Sequence, residues 1–344
     1  MMAGENDMRA WQLKAGATSL DDLTMIEAEK PVPGHGEVLV RVRACSLNYR
    51  DQLIVQGQYF GGSSPDPSIP LSDGAGEIEA VGPGVTRFAA GDRVTSLFFQ
   101  DWDGGPPRPN PGAALGAPPA AGMLADYVVL PERGVVAMAA SLSFAEAATL
   151  PCAGVTAWNA LMEGLRPLGP GHSVLVLGTG GVSLLALQIA KASGATVIAT
   201  SSSDAKLERV RAAGADHVIN YRTTPDWGAE AARLAGGGVH HVVEVGGAGT
   251  LAQSMAAVAY GGEIALIGVL TRTGETHPQP LLFKGASLRG IFVGSAAMAR
   301  ALNRAVDGTG IKPAIGRSFD FAAAPDAWRH AASPDLFGKV VITL

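Results

Sequence analysis

Residues 174–183 read Val-Leu-Val-Leu-Gly-Thr-Gly-Gly-Val-Ser, and this stretch decides the fold class of the chain. Its four apolar residues favour a buried parallel strand, and the mostly apolar residues 184–192 that follow favour a helix. The glycines between them permit a tight turn that directs several free backbone N–H groups towards one point. The residues expected to bind a diphosphate there are Gly178, Thr179, Gly180, Gly181 and Val182. A plain strand–helix turn without a ligand is the alternative, and the flanking strand and helix favour the diphosphate.

The composition indicates a folded chain long enough for two domains. The 344 residues are 47% hydrophobic and 17% charged, the net charge is −5, and no run of Lys or Arg is present to neutralise a nucleic-acid backbone. We expect neither a membrane span nor export, because long apolar stretches are absent and residues 1–9 lack the apolar core of a signal peptide. Cys45 and Cys152 are too few for a disulfide framework, so we expect a reduced, cytoplasmic enzyme.

Two modules follow one another along the chain. Residues 1–140 carry alternating or β-branched stretches between Pro and Gly turns, which predicts an all-β module. Residues 141–297 alternate short apolar strands with helical segments, which predicts βαβ units and a parallel sheet. Residues 298–344 contain a predicted helix at 298–307 and a predicted closing strand at 339–344, which we expect to return to the first module.

The predicted fold is a doubly wound, Rossmann-type α/β sheet together with a β-domain. The predicted strands of the first module lie at residues 9–13, 37–44, 76–81, 92–95 and 125–130. Those of the second module lie at residues 174–177, 196–200, 217–219, 242–245, 263–267 and 289–293. The proline-rich residues 101–122 fit neither a helix nor a strand. We interpret them as a mobile surface loop, with a wall or lid over the substrate cleft as the open alternative.

Several motifs resemble the medium-chain dehydrogenase/reductase superfamily, and within it the zinc-independent, quinone-oxidoreductase-like branch. Besides the glycine turn, the matching stretches are ACSLNYRD (44–51), IPLSDGAGE (69–77), GDRV (91–94), TLPCAGVTAW (149–158), GAD (214–216) and FGKVV (337–341). The resemblance spans nearly the whole chain. It implies a GroES-like (chaperonin-10-like) catalytic domain formed by residues 1–140 and 298–344, a Rossmann dinucleotide-binding domain formed by residues 141–297, and a cleft between them.

The resemblance also bears on metal binding. Zinc members of the superfamily bind the catalytic ion through Cys, His and usually a further Cys. Here the first Cys position falls on Asn48 and the His position on Ser72, so that Cys152 alone is left to supply a thiolate. A stable zinc site needs three ligands from Cys, His or carboxylate, and we therefore expect no metal. The adjacent His240 and His241 are not a metal pair either, because neighbouring residues of a strand point to opposite faces.

The end of the second Rossmann strand indicates the cofactor. Enzymes that prefer NADH usually carry an acid there, about 20 residues beyond the glycines, to bind the ribose hydroxyl. The residues expected at this place in the present chain are Ser201, Ser202, Ser203 and Lys206. Hydroxyl donors and a cation suit a 2′-phosphate, so we expect NADPH, and we interpret the nearby Asp204 as a helix cap. The resemblance adds Tyr221 as a neighbour of the adenosine ribose.

The resemblance further implies which residues line the nicotinamide and the substrate. The implied cofactor residues are Asn48, Thr156, Gly246, Ile267, Gly268, Val269, Phe292, Val293, Gly294 and Lys339. We expect Asn48 or Tyr49 to donate to the substrate oxygen and Tyr59 to lie on the cleft wall, with mere packing of both tyrosines beside the cofactor as the alternative. Arg50 and Asp51 are expected to pair as scaffold, and the final proton is expected to come from solvent.

The absence of zinc ligands restricts the chemistry. Reduction of a simple ketone builds charge on its oxygen, which zinc normally stabilises. Quinones and enones delocalise that charge, so hydrogen bonds suffice, and we expect an NADPH-dependent reductase of a quinone or an α,β-unsaturated carbonyl. A metal-free alcohol dehydrogenase or carbonyl reductase, and a non-catalytic NADPH-binding protein, stay open as alternatives. An apolar late strand at 288–294 needs covering, and because relatives pair this strand we expect a homodimer.

Overall fold

The computed structural model describes residues 7–60, 62–107, 109, 113–268, 270–271 and 273–344. The chain divides into two compact units. The first unit consists of Met1–Val155 and Gly294–Leu344, and the second unit consists of Thr156–Val293. Within the described ranges, no helix is long and apolar enough to cross a membrane.

The secondary-structure elements of the described residues are as follows. The strands are β1 (Asp7–Leu13), β2 (Leu23–Glu29), β3 (Glu37–Ser46), β4 (Asp73–Val81), β5 (Arg93–Ser96), β6 (Tyr127–Pro131), β7 (Val135–Ala137), β8 (Ser173–Leu177), β9 (Thr196–Ser201), β10 (His217–Asn220), β11 (Val239–Glu244), β12 (Val258–Leu266), β13 (Ser287–Gly290), β14 (Ile315–Asp320) and β15 (Lys339–Thr343). The helices are α1 (Tyr49–Val55), α2 (Phe144–Ala147), α3 (Val155–Met162), α4 (Gly181–Ala192), α5 (Asp204–Ala212), α6 (Trp227–Leu234), α7 (Leu251–Ala257), α8 (Gln279–Lys284), α9 (Ala296–Thr309) and α10 (Ala324–Ala331).

The first unit is organised around β3. β1 and β2 form an antiparallel pair, and a larger sheet has the order β14-β15-β3-β4-β5-β7, with β6 also paired to β3. One edge of β3 pairs with β6 through residues 37–41 and with β15 through residues 44–46, while β4 occupies the other edge. Val38, Val40 and Val42 alternate along β3 and are buried in the core of this unit. The closing strand β15 therefore lies inside this sheet, between β14 and β3.

The second unit contains a parallel sheet of order β10-β9-β8-β11-β12-β13. Every pair in it is parallel, and the order is that of a doubly wound dinucleotide-binding fold, which confirms the predicted fold class. All five residues of β8 are buried, because helices cover both faces of such a sheet. The strand order reverses between β8 and β11, and ligands of this fold bind beside the carboxyl ends of the strands at that point.

Several element boundaries differ from the sequence-based prediction. β11 begins at Val239 rather than at residue 242, so His240 and His241 lie inside the strand. β13 ends at Gly290 rather than at residue 293, and Val293 adopts a φ of 54°, which lies outside the β region. Strands β2, β7 and β14 were not predicted, since they are short or half-exposed and carry few consecutive apolar residues.

The proline-rich residues 101–122 contain no helix or strand within their described part, as predicted. The interpretation as a surface loop is wrong for part of this segment, because Trp102 and Leu115 are each only 3% exposed. Leu115 belongs to the core of the first unit. A Cβ atom at Gly116 would lie 2.5 Å from the backbone of Leu71, so the segment packs closely against the chain that leads into β4.

Candidate functional site

The glycine turn follows β8 and opens α4. Gly178 adopts a φ of 73°, a left-handed conformation that strains residues with a Cβ atom. Gly180 is the N-cap of α4, and no side chain caps this helix. A Cβ atom at Gly178 or Gly180 would meet no other atom within 4 Å, so the space beside the turn is open. An open turn with backbone N–H groups at a helix N-terminus fits a diphosphate.

Ser183 ties this turn to the sheet. Ser183 is buried in the first turn of α4, and its Oγ donates a hydrogen bond of 2.6 Å to the carbonyl of Leu177, the last residue of β8. A small side chain at this position allows the helix to lie close to the strand. In the Gly-x-Gly-x-x-Gly fingerprint of dinucleotide-binding turns, the third glycine has this role. Ser183 fills that role and adds a hydrogen bond.

A second turn follows β11, the neighbour of β8 on the other side of the strand reversal. The carboxylate of Glu244 is fully buried and holds this turn together. Its Oε1 accepts hydrogen bonds from the backbone N–H of Gly246 at 2.7 Å and of Gly247 at 3.0 Å. Thr250 Oγ1 donates to Oε1 at 2.6 Å, and Ser254 Oγ donates to Oε2. The carboxylate is satisfied by these donors, so we assign Glu244 to holding the shape of the turn.

The turn after β12 lies against the turn after β11. The backbone N–H groups of Ile267 and Gly268 both donate to the carbonyl of Glu244, at 2.8 and 3.1 Å. Position 268 requires glycine, because a Cβ atom there would lie 1.6 Å from the carbonyl oxygen of Val245. The structure therefore brings Gly246, Ile267 and Gly268 together, whereas the predicted cofactor residue Val269 lies outside the described residues.

The segment after β13 contains the predicted residues Phe292 and Val293. Phe292 is 53% exposed, while Val293 is buried and has a φ of 54°, an unusual conformation for a β-branched residue. Asn159 Nδ2 donates a hydrogen bond of 2.7 Å to the carbonyl of Val293. Gly294, which follows, is the residue at which the chain re-enters the first unit, and Thr156 is buried at the start of the second.

The residues predicted at a 2′-phosphate lie at the ends of neighbouring strands. Asn220 at the end of β10 is paired with Ser201 at the end of β9, and the N–H of Tyr221 donates to the carbonyl of Ser201 at 3.1 Å. Ser201 is buried, Ser202 is half-buried, and Tyr221 is 42% exposed. Serine hydroxyl groups and the exposed phenol of Tyr221 therefore lie at the carboxyl ends of β9 and β10.

The first turn of α5 brings Ser203 and Lys206 to the same end of the sheet as Ser201, and it shows a different role for Asp204 than predicted. Ser203 is the N-cap of α5, and its Oγ accepts the backbone N–H of Lys206 at 3.4 Å. The prediction that Asp204 caps the helix is wrong. Asp204 is the first helical residue, and its Oδ1 accepts a hydrogen bond of 2.7 Å from Asn220 Nδ2. The side chain of Lys206 is half-buried in the first turn of α5, on the same helix end as these serines.

In the first unit, Asn48 and Lys339 are in direct contact. Asn48 precedes α1, and Lys339 is the first residue of β15. Lys339 Nζ donates to Asn48 Oδ1 and to the carbonyl of Leu47, each at 2.6 Å. Lys339 is 3% exposed, and Asn48 Nδ2 is buried without a hydrogen-bond partner among the described residues. A buried N–H donor without a partner is unfavourable in the free protein and suited to a ligand oxygen.

The charge of Lys339 is balanced by Asp73 at the start of β4. Lys339 Nζ lies 3.5 Å from Asp73 Oδ2, and both side chains are buried. Ser72 Oγ donates to Asp73 Oδ1 at 2.7 Å. Ser46 Oγ and the backbone N–H of Cys152 donate to Oδ2, each at 3.3 Å. The carboxylate is therefore held in place by hydrogen bonds as well as by the ammonium group.

Arg50 and Asp51 do not form the predicted ion pair, and the reason is the direction of the Arg50 side chain. Its guanidinium group lies between the rings of Tyr59 and Phe98, 4.9 and 4.6 Å from their centroids, and donates to the carbonyl of Leu115 at 2.7 Å. Asp51 Oδ2 instead accepts the backbone N–H of Asn48 at 2.7 Å. Burial raises the pKa of Asp51 to about 6.

The two predicted tyrosines differ in environment. Tyr49 is 50% exposed at the start of α1. Tyr59 is half-buried, and burial raises the pKa of its phenol while Arg50 opposes the rise. Tyr59 also lines a cavity of about 580 Å³ in the first unit, together with Ile54 and residues 113–114 and 117–119. Part of the proline-rich segment therefore forms a wall of this cavity.

The residues at the zinc-ligand positions do not fit zinc. Asn48 Oδ1 faces the ammonium group of Lys339, and Ser72 donates its hydroxyl proton to Asp73. Burial raises the pKa of the Cys152 thiol, so the thiolate that zinc requires is disfavoured. Among the described residues, no group of three or more His, Cys, Asp or Glu side chains could hold a metal ion.

The two histidines of β11 differ in environment, since His240 is exposed and His241 is 3% exposed. Sequence reasoning missed their neighbour His172, whose ring stacks on both at centroid distances of 4.8 and 5.4 Å. It also missed Glu244 and Asn159, which hold the turns that follow β11 and β13. The available signal for Glu244 was an acid within an apolar strand, followed after Val245 by Gly246-Gly247. The sequence around Asn159 contains no comparable signal.

Two family models match the chain. The model described as the alcohol dehydrogenase GroES-like domain matches residues 34–140, and the model described as zinc-binding dehydrogenase matches residues 181–307. The first matched region contains Asn48, and the second begins at Gly181, the last glycine of the turn. Lys339 lies beyond both of them.

Individual proteins are similar over nearly the full length. A zinc-type alcohol dehydrogenase-like protein of Schizosaccharomyces pombe is 44% identical over 336 residues, which cover 95% of this chain and 96% of the relative. The 2-methylene-furan-3-one reductase of Solanum lycopersicum is 30% identical over 350 residues, which cover 98% of this chain and 79% of the relative. The crystal structure of an NAD-dependent alcohol dehydrogenase is 35% identical, with a TM-score of 0.87 and coverage of 98% of this chain and 99% of the other. The chain therefore belongs to the medium-chain dehydrogenase/reductase superfamily and is an oxidoreductase.

Proposed function

We propose that this chain is a zinc-independent, NADPH-dependent reductase of quinones or α,β-unsaturated carbonyl compounds. The observation that carries the proposal is the buried Asn48 Nδ2, a hydrogen-bond donor without a partner among the described residues, at the position where zinc relatives are expected to carry a metal ligand. A donor that is already desolvated stabilises charge on a substrate oxygen at little reorganisation cost. The similarity to a 2-methylene-furan-3-one reductase supports an activated carbon–carbon double bond as the acceptor.

The acceptor class follows from the strength of the available stabilisation. One amide N–H is a weaker electrophile than a divalent cation, so a localised alkoxide is poorly stabilised. Addition at the β-carbon of an enone places the charge on an enolate, in which it is spread over oxygen and carbon. Quinones spread the charge over a ring in the same way. The residues of this chain therefore suit conjugated acceptors better than simple ketones.

The cofactor proposal rests on the turns of the second unit. The open glycine turn before α4 suits the diphosphate, and Ser201, Ser203 and Lys206 suit a 2′-phosphate better than a bare ribose hydroxyl. No acid occupies the position of Ser201, where an NAD-specific site would place one. One similar structure is that of an NAD-dependent enzyme, and the Kd values for NADPH and NADH distinguish the two cofactors.

The residues divide between two tasks. When NADPH is bound, it supplies the hydride. The turns containing Gly178, Gly246 and Gly268 hold the cofactor through backbone groups, and Asn48 donates to the substrate oxygen as charge develops there. The proton that completes the reduction comes from solvent, so no single acid is required. Tyr59 and the cavity that it lines hold the apolar part of the substrate.

The deciding experiment is an acceptor screen with NADPH and NADH, performed before and after dialysis against a chelator. We expect NADPH oxidation with 1,4-benzoquinone, a 2-methylene-furanone and simple enones, unchanged by the chelator. Faster oxidation of simple alcohols than reduction of these acceptors would favour the alternative of a metal-free alcohol dehydrogenase. Loss of activity on chelation contradicts the zinc-independent assignment. NADPH binding without turnover of any acceptor would favour a non-catalytic binding protein.

We also propose that the chain forms a homodimer through the outer strand of the parallel sheet. β13 is at the sheet edge, and Leu288 on it is 40% exposed. An unpaired apolar edge invites pairing with a second copy. Light scattering is expected to give a dimer for the wild type and for Leu165→Asp, a matched change at an 83% exposed leucine. Leu288→Asp is expected to give a monomer, and a dimeric Leu288→Asp variant contradicts the proposed interface.

A further inference from the structure

The contact between Lys339 and Asn48 fixes the orientation of the amide. An ammonium group can only donate hydrogen bonds, so the amide atom that faces it must be the oxygen. Lys339 Nζ lies 2.6 Å from that atom, Oδ1. The amide is planar, and its NH₂ group is therefore directed away from the lysine. The buried Nδ2 without a partner is the other end of the same side chain.

The lysine itself has little freedom. Its Nζ also donates to the carbonyl of Leu47 and lies 3.5 Å from Asp73 Oδ2. Asp73 is held by Ser72, Ser46 and the backbone N–H of Cys152. The backbone position of Lys339 is set by the pairing of β15 with β3, the strand that leads directly into Asn48. Both ends of the contact are thus fixed by the same sheet.

The position just before Lys339 is equally restricted. Gly338 adopts a φ of 70°, and a Cβ atom there would lie 2.3 Å from the carbonyl oxygen of Ala314. The N–H of Lys339 donates to the same carbonyl at 2.9 Å. Glycine at 338 therefore allows the close approach that starts β15 at this register. The Gly-Lys pair places the ammonium group beside the Asn48 amide.

We propose that Lys339 is a positioning residue that acts on the substrate oxygen through the Asn48 amide. The ammonium group holds the amide with its NH₂ outward and polarises it, so that Nδ2–H is a stronger donor to the oxygen on which charge develops. This inference rests on the proposed reduction of a conjugated carbonyl compound. It differs from the role implied by the family resemblance, in which Lys339 reaches the cofactor directly.

A double-mutant cycle separates these two roles. Asn48→Asp is nearly isosteric and keeps an oxygen for Lys339 but has no N–H donor, and we expect kcat with an enone to fall roughly 10²-fold, the loss typical of one such donor. Lys339→Met is expected to lower kcat at least ~10-fold, with Lys339→Arg recovering part of the loss. The double variant is expected to be no slower than Asn48→Asp alone, because the lysine acts through the amide. If the decreases in kcat of the two single variants multiply in the double variant, the proposal is overturned.

Cofactor affinity gives a second, independent readout. If Lys339 acts through Asn48, the Kd for NADPH of Lys339→Met, measured by fluorescence, stays within about threefold of the wild type. A tenfold weaker Kd with unchanged kcat contradicts the proposal and supports direct cofactor contact. Lys30→Met is the matched control, because Lys30 is also a lysine of the first unit in an ion pair, with Glu79 at 2.8 Å. Its kcat and Kd are expected to match those of the wild type.

A separate control for folding is included, because Lys339→Met leaves the buried Asp73 carboxylate without its cation. The variant Asp73→Asn with Lys339→Met removes both charges and is the substitute where the single variant fails to fold. The side-chain ¹⁵NH₂ signals of Asn48, assigned by their loss in Asn48→Asp, report the contact without any turnover. We expect them to shift in Lys339→Met and to be largely retained in Lys339→Arg. Unchanged chemical shifts of these signals in Lys339→Met would contradict the inference. This test needs no turnover, so it is valid even if the acceptor screen shows the proposed function to be wrong.

Discussion

The side-chain amide of Asn159 donates a hydrogen bond of 2.7 Å to the carbonyl of Val293, a buried β-branched residue with a φ of 54°. Arg289 Nη1 in turn donates to Asn159 Oδ1 at 2.9 Å, and Arg289 Nε pairs with Glu263 Oε1 at 2.9 Å. Backbone strain of this kind costs about 1–3 kcal/mol and persists only where the surroundings fix the conformation. The polar chain from Glu263 to Val293 supplies that constraint at the end of β13.

Replacement of Asn159 by alanine is expected to destabilise the second unit. Asn159→Ala leaves the Val293 carbonyl and one Arg289 donor without partners, so the free energy of unfolding should fall by about 1–3 kcal/mol. Urea denaturation followed by tryptophan fluorescence measures the change. Asn303→Ala, which removes a comparable bond of 2.8 Å from an amide to the Ala137 carbonyl in the first unit, shows whether the effect is local. An unchanged unfolding midpoint for Asn159→Ala contradicts the assigned constraint.

The glycine turn offers a substitution that separates folding from binding. Gly180 has a φ of −79°, and a Cβ atom there meets no atom of the chain within 4 Å, so Gly180→Ala should fold with unchanged or slightly higher stability. The methyl group occupies space needed by a diphosphate, and we expect the Kd for NADPH to rise at least ~10-fold. Gly169→Ala, where a Cβ atom is equally unhindered, is the control and should bind normally. Equal affinity in the two variants would exclude the turn as the diphosphate site.

The first turn of α5 tests the choice between the two nicotinamide cofactors. Lys206→Ala removes the cation expected at the 2′-phosphate, so the Kd for NADPH should rise roughly tenfold, equivalent to about 1.4 kcal/mol, while the Kd for NADH changes little. Arg211→Ala lies on the same helix, where Arg211 pairs with Glu208 at 2.6 Å, and should leave both constants unchanged. An unaltered NADPH affinity in Lys206→Ala argues against the phosphate assignment.

Asp51 predicts a specific pH dependence of stability. Burial raises its pKa from 3.8 to about 6, so in the folded state it keeps a proton that the unfolded chain has already released between about pH 4 and pH 6. The protonated Asp51 carboxyl group makes its full contribution to the free energy of unfolding below about pH 4. This contribution is lost as the pH rises to about 6, at up to about 1.4 kcal/mol per pH unit. The stability of Asp51→Asn relative to the wild type should therefore increase over this range. Urea titrations at several pH values measure it, and a flat difference is the contrary result.

The fold and the glycine turn could be predicted from the sequence because their signals are local. Four apolar residues, three glycines and an apolar helix follow one another between residues 174 and 192, and each constrains the next. The doubly wound parallel sheet was predicted from the alternation of strands and helices, which permits few topologies. Boundaries such as the end of β13 were not predictable, since a positive φ at a valine arises from tertiary contacts.

The polar contacts of the first unit could be predicted only in part. Asn48 and Lys339 were singled out individually, but they are 291 residues apart, and their contact depends on the register of β15 on β3. The expected pairing of Arg50 with Asp51 was wrong because Arg50 binds Leu115, in a segment without regular secondary structure. Nothing in the local sequence indicates that such a segment supplies a buried carbonyl.

The pairing of β15 with β3 has a consequence for biosynthesis. Residues 156–293 form the second unit from one continuous stretch, which can be complete while ribosomes are still adding the segment that contains Lys339. The amide of Asn48, by contrast, is translated long before the ammonium group that orients it. The second unit can therefore fold during translation, whereas the amide of Asn48 reaches the geometry seen in the structure only after Lys339, 291 residues further along the chain, has been added.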